Sequence, residues 1–352
     1  MIGLVGAGGV GRYAHLPSYR AQSLPVSVVC DVDAGVAATV AAEFSVPRWT
    51  TDLKVLLADP SVEIVDLATP PIGRAPLLSA IALAGKPTLI QKPFCVTRAE
   101  YAYLSAHLVP EVHWRLNMTG RHVSAWRKVK ALIDGGAIGL PQTCTIINRD
   151  WWDRSPGRWD LDVADYVVYE IFVHHLDLLV YWFGWPSKVT GRAGVHPRQL
   201  MMQANRASIL LDYLEGGPLV TLIDDWTEGE FAFASGHPFE SVSITGSEGS
   251  IRASSERVEL SRLGANAIEL WHHPRPGQTL PGEVLETGWF PDSFGLAMTE
   301  FAAARGAPES KARDAAYLRD LTEALFTVAE SLGSDRWLPL RRESATLSPP
   351  VS

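Results

Sequence analysis

The chain has 352 residues, of which 47% are hydrophobic and 20% are charged, a balance typical of a globular protein of about two domains. Its net charge of −8 argues against a binder of duplex nucleic acid, and no apolar run approaches the length of a membrane span. The three cysteines, Cys30, Cys95 and Cys144, lie far apart, which argues against a disulfide framework or a zinc site and favours a reducing cytoplasm.

Short apolar strands alternate with helices over the first 117 residues. This spacing predicts a doubly wound parallel sheet with right-handed crossovers, as in a Rossmann domain spanning 1–117. The predicted strands are 2–6, 26–30, 62–68 and 88–90, and the predicted helices are 11–22, 34–44, 52–58 and 75–84.

After residue 117 the pattern changes to consecutive strands separated by turn signals. A helix at 123–134 precedes them, and helices at 294–305 and 314–332 follow. These features predict a second, α+β domain at 118–340 with a largely antiparallel sheet, and a flexible tail at 341–352. The predicted strands are 142–148, 189–195, 208–214, 219–226, 241–245, 249–253, 258–263 and 267–271.

A glycine-rich turn joins the first strand to the first helix. It matches G-x-G-x-x-G, and Asp31 ends the next strand at the spacing expected of a residue that binds the adenosine ribose. The glycines permit a tight turn and a close approach to a pyrophosphate, while the carboxylate disfavours a 2′-phosphate. We therefore predict NAD rather than NADP; the alternative is a glycine turn without a ligand. The predicted contacts here are Gly6, Gly8, Gly9, Val10, Gly11 and Asp31.

Three further candidates follow the last two predicted strands of the first domain, 62–68 and 88–90. Thr69 and Pro70 come after one strand, and Lys92 comes after the next. Ligands of doubly wound sheets lie beyond the carboxyl ends of the strands, so these residues are predicted to face the cofactor. The alternatives are a simple end of the strand and a lysine on the surface.

The glycine turn, Lys92-Pro93 and the segment 170–177 together resemble the Gfo/Idh/MocA family of sugar and cyclitol oxidoreductases. The resemblance extends to about residue 340. It implies a Rossmann domain followed by a domain with a large, open, mostly antiparallel sheet that commonly forms the interface of a homodimer or homotetramer. It also implies an NAD(P)-dependent oxidoreductase acting on a secondary alcohol or ketone of a sugar, sugar derivative or cyclitol.

The family's catalytic trio is a Lys in a Glu-Lys-Pro motif together with an Asp and a His four residues apart. Lys92 and His174 match it, whereas Glu170 stands where Asp is usual, Gln91 replaces the Glu, and residues 164–166 replace a common glycine triplet. His174 is the expected base, because an imidazole titrates near neutrality. Glu170 is expected to orient it, and Lys92 to stabilise an alkoxide.

A Trp-rich segment between a strand and the His174 helix is predicted to bind the substrate, because sugar rings pack on aromatic faces while their hydroxyls need polar partners. The alternative is an aromatic cluster of the core or an interface. Adjacent His174 and His175 diverge on a helix, so no metal site is predicted. The candidate substrate contacts are Trp151, Trp152, Arg158, Trp159, Asp162 and, placed after the last Rossmann strand, Arg115.

Three other functions remain open from the sequence. One is a ketoreductase of deoxysugar biosynthesis on the same fold. Another is a glycosidase that uses NAD transiently and releases sugar without net NADH. The last is a cofactor-binding protein without activity, against which the presence of both Lys92 and His174 argues.

Overall fold

The computed structural model describes residues 1–149, 163–195, 204–214, 216–226, 239–265, 267–273 and 282–343. Contacts along the chain define two compact units. The first comprises Met1–Thr119 and Trp289–Thr322, and the second comprises Gly120–Gly288 and Glu323–Ser352. The segment 289–322, expected in the second domain, thus clusters with the first unit. Most of the tail predicted at 341–352 lies outside the described residues.

The first unit is built on a six-stranded, wholly parallel sheet with the order β3-β2-β1-β4-β5-β6. This order confirms the predicted doubly wound fold. The central strands are apolar runs buried along their whole length, as expected of a parallel sheet covered on both faces. The strands are β1 Ile2–Val5, β2 Val26–Cys30, β3 Arg48–Thr50, β4 Ile64–Leu67, β5 Thr88–Gln91 and β6 Trp114–Asn117.

Local capping sets several helix ends. The Asp33 carboxylate accepts the N–H groups of Gly35 and Val36 in the first turn of the helix Ala34–Phe44, and Gly85 ends the helix Ala75–Ala84 at φ 66°. Two of the helices are preceded by π-helical turns, Gly11–His15 and Val168–Phe172. The helices are α1 Leu16–Ala21, α2 Ala34–Phe44, α3 Leu53–Ala58, α4 Ala75–Ala84, α5 Arg98–Ser105, α6 Ser124–Asp134, α7 Val173–Phe183, α8 Asp292–Ala304 and α9 Pro308–Leu332.

Helix α8 packs on the Rossmann sheet, which explains why the segment 289–322 clusters with the first unit. Its Met298 and Phe301 are fully buried in one apolar cluster with Leu89 of β5 and Tyr19 of α1. Burying two large side chains of this kind stabilises the packing by about 3–6 kcal/mol before entropy losses.

The second unit contains a ten-stranded sheet with the order β15-β14-β13-β12-β11-β7-β10-β9-β8-β16. Only the pairs β7–β10 and β14–β15 are parallel among the described strands, which confirms a mostly antiparallel sheet. Alternate residues are buried along its strands, and α6 packs on β12, β13 and α7. The strands are β7 Pro141–Arg149, β8 Lys188–Gly194, β9 Arg206–Asp212, β10 Leu219–Asp225, β11 Glu240–Gly246, β12 Gly249–Ser254, β13 Arg257–Arg262, β14 Ile268–His272, β15 Glu283–Val284 and β16 Leu338–Pro339.

In the described part of the chain, no helix has the length and apolar character that a membrane span requires.

Candidate active site

The glycine turn contains two kinds of glycine. Gly6 adopts φ 95°, and a Cβ on Gly11 would lie 2.5 Å from the carbonyl oxygen of Gly6, so the fold itself requires both. Gly8 and Gly9 are exposed, and a Cβ on either would meet no atom within 4 Å. The fold therefore leaves free space at these two positions, where a pyrophosphate would approach the backbone.

Asp31 ties the end of β2 to this turn. Its Oδ2 accepts the N–H of Ala7 at 2.8 Å, and its Oδ1 accepts the N–H of Asp33 at 3.0 Å. The carboxylate is thereby held beside the free space at Gly8 with acceptor capacity left for ribose hydroxyls. Val10 instead packs its side chain against the core around Leu4, so only its backbone faces the turn. These residues fit NAD, as the sequence predicted.

The carboxyl edge of the same sheet carries the next candidates. Pro70 is exposed, and Thr69 is half-buried with its Oγ1 shielded and without a hydrogen-bond partner in the described chain. Lys92 is half-buried, and its backbone N–H donates to Oε1 of Gln91 at 2.9 Å. Gln91, which replaces the family's Glu, therefore supports the backbone of Lys92 without adding a charge beside it.

Two buried residues at this edge are not among the site residues predicted from the sequence. Asn117, at the end of β6, is 1% exposed, and both polar atoms of its side chain lack a hydrogen-bond partner among the described residues. Arg74 is fully buried just before α4 and donates to the carbonyl oxygens of Thr69 and Pro93 at 2.5 Å each. Burial lowers the pKa of Arg74 to about 9.

In the second unit, Glu170 lies in the π-helical turn Val168–Phe172 and His174 is the second residue of α7. Both are half-buried, whereas most neighbours on these turns are buried. Single π-helical turns inside helices occur frequently at functional sites. The structure therefore leaves these two side chains partly exposed on turns whose other residues are mostly buried.

The segment that replaces the family's glycine triplet adopts a backbone suited to glycine. Asp165 has φ 54°, a left-handed conformation that Asp tolerates better than most residues. Its carbonyl accepts the N–H of Val168 at 2.8 Å, which leads the chain into the π-helical turn. Tyr166 is fully buried with its ring edge-on to Trp226. Burial raises the pKa of Asp165.

His175, next to His174, is buried in an ionic cluster under the helix. Its Nδ1 lies 3.2 Å from Oδ1 of Asp224 on β10, and its Nε2 lies 3.3 Å from Oε2 of Glu240 on β11. Burial alone lowers the pKa of His175, but the two facing carboxylates raise it to about 10. The two facing carboxylates therefore favour the charged form of its imidazole, which lies between two strands.

Asp177 is also structural. It is fully buried, and Nε of Arg121 donates to both of its oxygens at 3.0 Å. With His175 on one side of α7 and Asp177 on another, two buried ionic contacts fix the rotation of the helix. In the ranges that the structure describes, no cluster of three His, Cys, Asp or Glu side chains is arranged to hold a metal ion.

The predicted place of Arg115 is wrong. It lies within β6 and not after the last strand, because β6 carries a polar residue that hides the strand pattern. Its Nε donates to Oδ2 of Asp314 at 2.5 Å and its Nη1 to Oε1 of Glu300 at 2.9 Å. The guanidinium of Arg115 is therefore engaged in ion pairs with Asp314 on α9 and Glu300 on α8. The remaining substrate candidates lie outside the described residues: Trp151, Trp152, Arg158, Trp159 and Asp162.

Comparison with known proteins first defines the class. Residues 1–110 match an oxidoreductase family with an NAD-binding Rossmann fold. Residues 126–252 match the C-terminal domain of the GFO/IDH/MocA family. The chain therefore belongs to the Gfo/Idh/MocA family, as the sequence predicted. It is an NAD-dependent dehydrogenase acting on CH–OH groups.

The similarity to named relatives covers about half of the chain or more. It is 25% identical over 288 residues to the D-apiose dehydrogenase of Paraburkholderia graminis, which covers 80% of this chain and 76% of that protein. It is 34% identical over 176 residues to the inositol 2-dehydrogenase of Acidothermus cellulolyticus, 48% of this chain and 51% of that one. A levoglucosan dehydrogenase structure with NADH and L-sorbose superposes with a TM-score of 0.80 at 20% identity, covering 97% of this chain and 98% of that chain, which shows the shared fold.

Proposed function

We propose that the protein oxidises a secondary alcohol of a sugar, sugar derivative or cyclitol and passes the hydride to NAD. The observation that carries this proposal is the free space at Gly8 and Gly9, bordered by the fixed carboxylate of Asp31. Relatives named for D-apiose and inositol support the substrate class.

NAD, when bound, supplies the hydride acceptor, so the protein has to bind the alcohol and remove its proton. We assign the proton to His174. Nδ1 of this ring is shielded from solvent, which leaves Nε2 as the nitrogen that takes the proton. Glu170, four residues earlier, stabilises the imidazolium that forms, and Lys92 donates to the alcohol oxygen as it gains negative charge.

The choice of His174 over His175 follows from the surroundings of His175. A general base has to be neutral before the reaction, and the carboxylates of Asp224 and Glu240 keep His175 protonated up to about pH 10. His175 also has no exposed surface, whereas His174 is half-buried. The pair thus divides into a base and an anchor of the helix.

The same groups reduce a ketone when the reaction runs backwards, so the test has to cover both directions. A panel of sugars, inositols and sugar ketones is offered with NAD, NADP and their reduced forms, and NADH and sugar products are both measured. We expect NADH from at least one cyclic polyol, with NAD preferred over NADP. Release of free sugar from a glycoside without net NADH would replace the proposal with glycosidase activity.

Glu170 tests the mechanism further. Glu170→Gln removes the charge at nearly constant shape and is expected to lower kcat by about 10². Glu170→Asp keeps the carboxylate and restores the residue usual in the family, so most activity is expected to remain. Equal losses in both variants would contradict a role for the charge.

The Trp-rich segment remains the proposed substrate site, with Trp151, Trp152, Arg158, Trp159 and Asp162 as contacts. Single alanine substitutions of the Trp residues are expected to raise KM for the alcohol by about 10-fold and to leave the Kd of NADH unchanged. A change confined to NADH binding would contradict this assignment.

We also infer a homodimer or homotetramer formed through the face of the ten-stranded sheet that α6 does not cover. A shallow depression of about 340 Å³ on the sheet is lined by Thr145, Ile147, Ser243 and Arg252 among others. Light scattering on the purified protein tests this inference, since a strict monomer would contradict it. Cytoplasmic location stays a prediction.

A further inference from the structure

The guanidinium of Arg74 occupies an unusual place for a charged group. The side chain is fully buried, and it forms no ion pair among the described residues. Its donors go instead to main-chain carbonyls: Nη2 to Thr69 at 2.5 Å, and Nη1 to Pro93 at 2.5 Å and Phe94 at 3.2 Å. A buried cation is costly unless it is hydrogen-bonded, and here three backbone acceptors and the nearby charge of Glu100 offset part of its desolvation, while Nε has no hydrogen-bond partner among the described residues.

The three carbonyls belong to two separate loops. Thr69 follows β4, while Pro93 and Phe94 follow β5, the neighbouring parallel strand. Beyond the strand ends no ladder hydrogen bonds join these loops in the described pairing, whose register stops at Leu67 and Ile90. Arg74 therefore bridges them where the sheet no longer does.

The planar guanidinium suits this task. It presents donors in two directions from one rigid group, whereas an ammonium is a point charge on a flexible stem. The first acceptor, Thr69, lies two residues after the end of β4, and the second belongs to the residue bonded to Lys92. One side chain thus links the Thr69 carbonyl to the carbonyl of Pro93, the residue that follows Lys92.

We propose that Arg74 is a positioning residue that fixes the Lys92 ammonium group for catalysis by bridging the loops after β4 and β5. This inference rests on the proposed function, in which Lys92 donates to the reacting oxygen. A lysine misplaced by about 1 Å is expected to cost up to 10²-fold in rate, because hydrogen bonds to a developing charge depend steeply on geometry.

Arg74→Lys keeps the positive charge and removes the two-directional donor. We expect the single-turnover rate of NADH formation to fall by about 10- to 100-fold, with the Kd of NADH changed far less. Arg319→Lys is the matched control, because Arg319 also donates to a main-chain carbonyl, that of Leu108, in the same unit. It is expected to react at the wild-type rate.

A double-mutant cycle with Lys92→Met separates positioning from a general loss of structure. If Arg74 acts through Lys92, Arg74→Lys has no further effect once Lys92 is replaced. An equal loss in both backgrounds, or no loss in either, would overturn the proposal. If neither Arg74→Lys nor Arg74→Gln folds, a purely structural role explains Arg74 and the proposal also fails.

A second readout does not depend on turnover. The rate at which acetic anhydride labels the Lys92 amine is followed by peptide mass spectrometry in the wild type and in Arg74→Lys, with Lys54 on α3 as the internal reference. We expect the labelling of Lys92 relative to Lys54 to change by at least about 3-fold. If this ratio changes while no alcohol yields NADH, the proposed function fails and the link from Arg74 to Lys92 stands. An unchanged ratio overturns the link.

Discussion

Alanine substitutions in the glycine turn should have opposite effects at Gly11, where the fold leaves no space for a methyl group, and at Gly8, where it does. Gly11→Ala places a methyl group 2.5 Å from the carbonyl oxygen of Gly6, a backbone atom that cannot swing aside. Overpacking of this kind costs about 1–3 kcal/mol. Gly8→Ala meets no atom within 4 Å, and Gly8 does not occupy the left-handed region. There alanine is expected to stabilise the chain by about 0.4–1 kcal/mol, because the unfolded state loses freedom.

For NADH binding, we expect Gly8→Ala to be the damaging substitution, although it does not lower stability. The methyl group on Gly8 occupies the space that a pyrophosphate needs, so the Kd of NADH should rise at least about 10-fold, or about 1.4 kcal/mol, in a protein that is no less stable. Gly11→Ala should lower Tm by about 2–4 °C for each kcal/mol lost. Gly333→Ala is the control: its site is equally open and lies in the other unit, so only stability should change.

Both quantities come from two assays, thermal unfolding without ligand and a fluorescence titration with NADH. The reasoning is refuted if Gly8→Ala binds NADH like the wild type, because the open space would then have another explanation. It is equally refuted if Gly11→Ala melts at the wild-type temperature.

Two further predictions concern buried charged groups and are tested by measuring the free energy of unfolding as a function of pH. Burial raises the pKa of Asp314, but the hydrogen bond from His113 and the charge and hydrogen bond of Arg115 outweigh burial, so the pKa is lowered in the folded state. The ionised carboxylate therefore stabilises the fold above about pH 3.9, and this stabilisation is lost as the pH falls through the lower folded pKa. Asp314→Asn should therefore cost about 2 kcal/mol at neutral pH and nothing in strong acid. For His175, whose pKa is raised to about 10, the stabilisation is complete below about pH 6.5 and is lost as pH rises through 10. The difference in the free energy of unfolding between the wild type and His175→Gln should therefore become smaller at alkaline pH. A difference that stays constant across pH would contradict this prediction.

Much of the Rossmann unit could be predicted because its signals are local. The helices Ala34–Phe44 and Ala75–Ala84 match their predicted bounds, since a capping Asp33 and a terminal Gly85 mark them in the sequence. Strand β3 was missed because its three residues are largely exposed and carry no apolar pattern. The π-helical turns were missed as well, because hydrophobic spacing does not distinguish them from an α-helix over one turn.

The candidate site divides in the same way. The glycine motif and Asp31 could be found because each role is tied to a short spacing. The support around them could not, because its partners lie far apart in the chain: Arg74 bonds a carbonyl 19 residues away, and His175 faces Glu240 65 residues away. A single sequence contains no signal for such pairs, and buried polar residues only acquire meaning once their acceptors are known.

In the proposed mechanism, His174 takes the proton of the alcohol and Lys92 donates to its oxygen. The most direct measurement is the single-turnover rate of NADH formation from a polyol substrate in Lys92→Met and His174→Ala, with Lys54→Met and His107→Ala as controls at exposed and partly exposed positions. We expect losses of at least about 10²-fold in the first two variants, with NADH still bound, and wild-type rates in the controls. Wild-type turnover in either Lys92→Met or His174→Ala would contradict this mechanism.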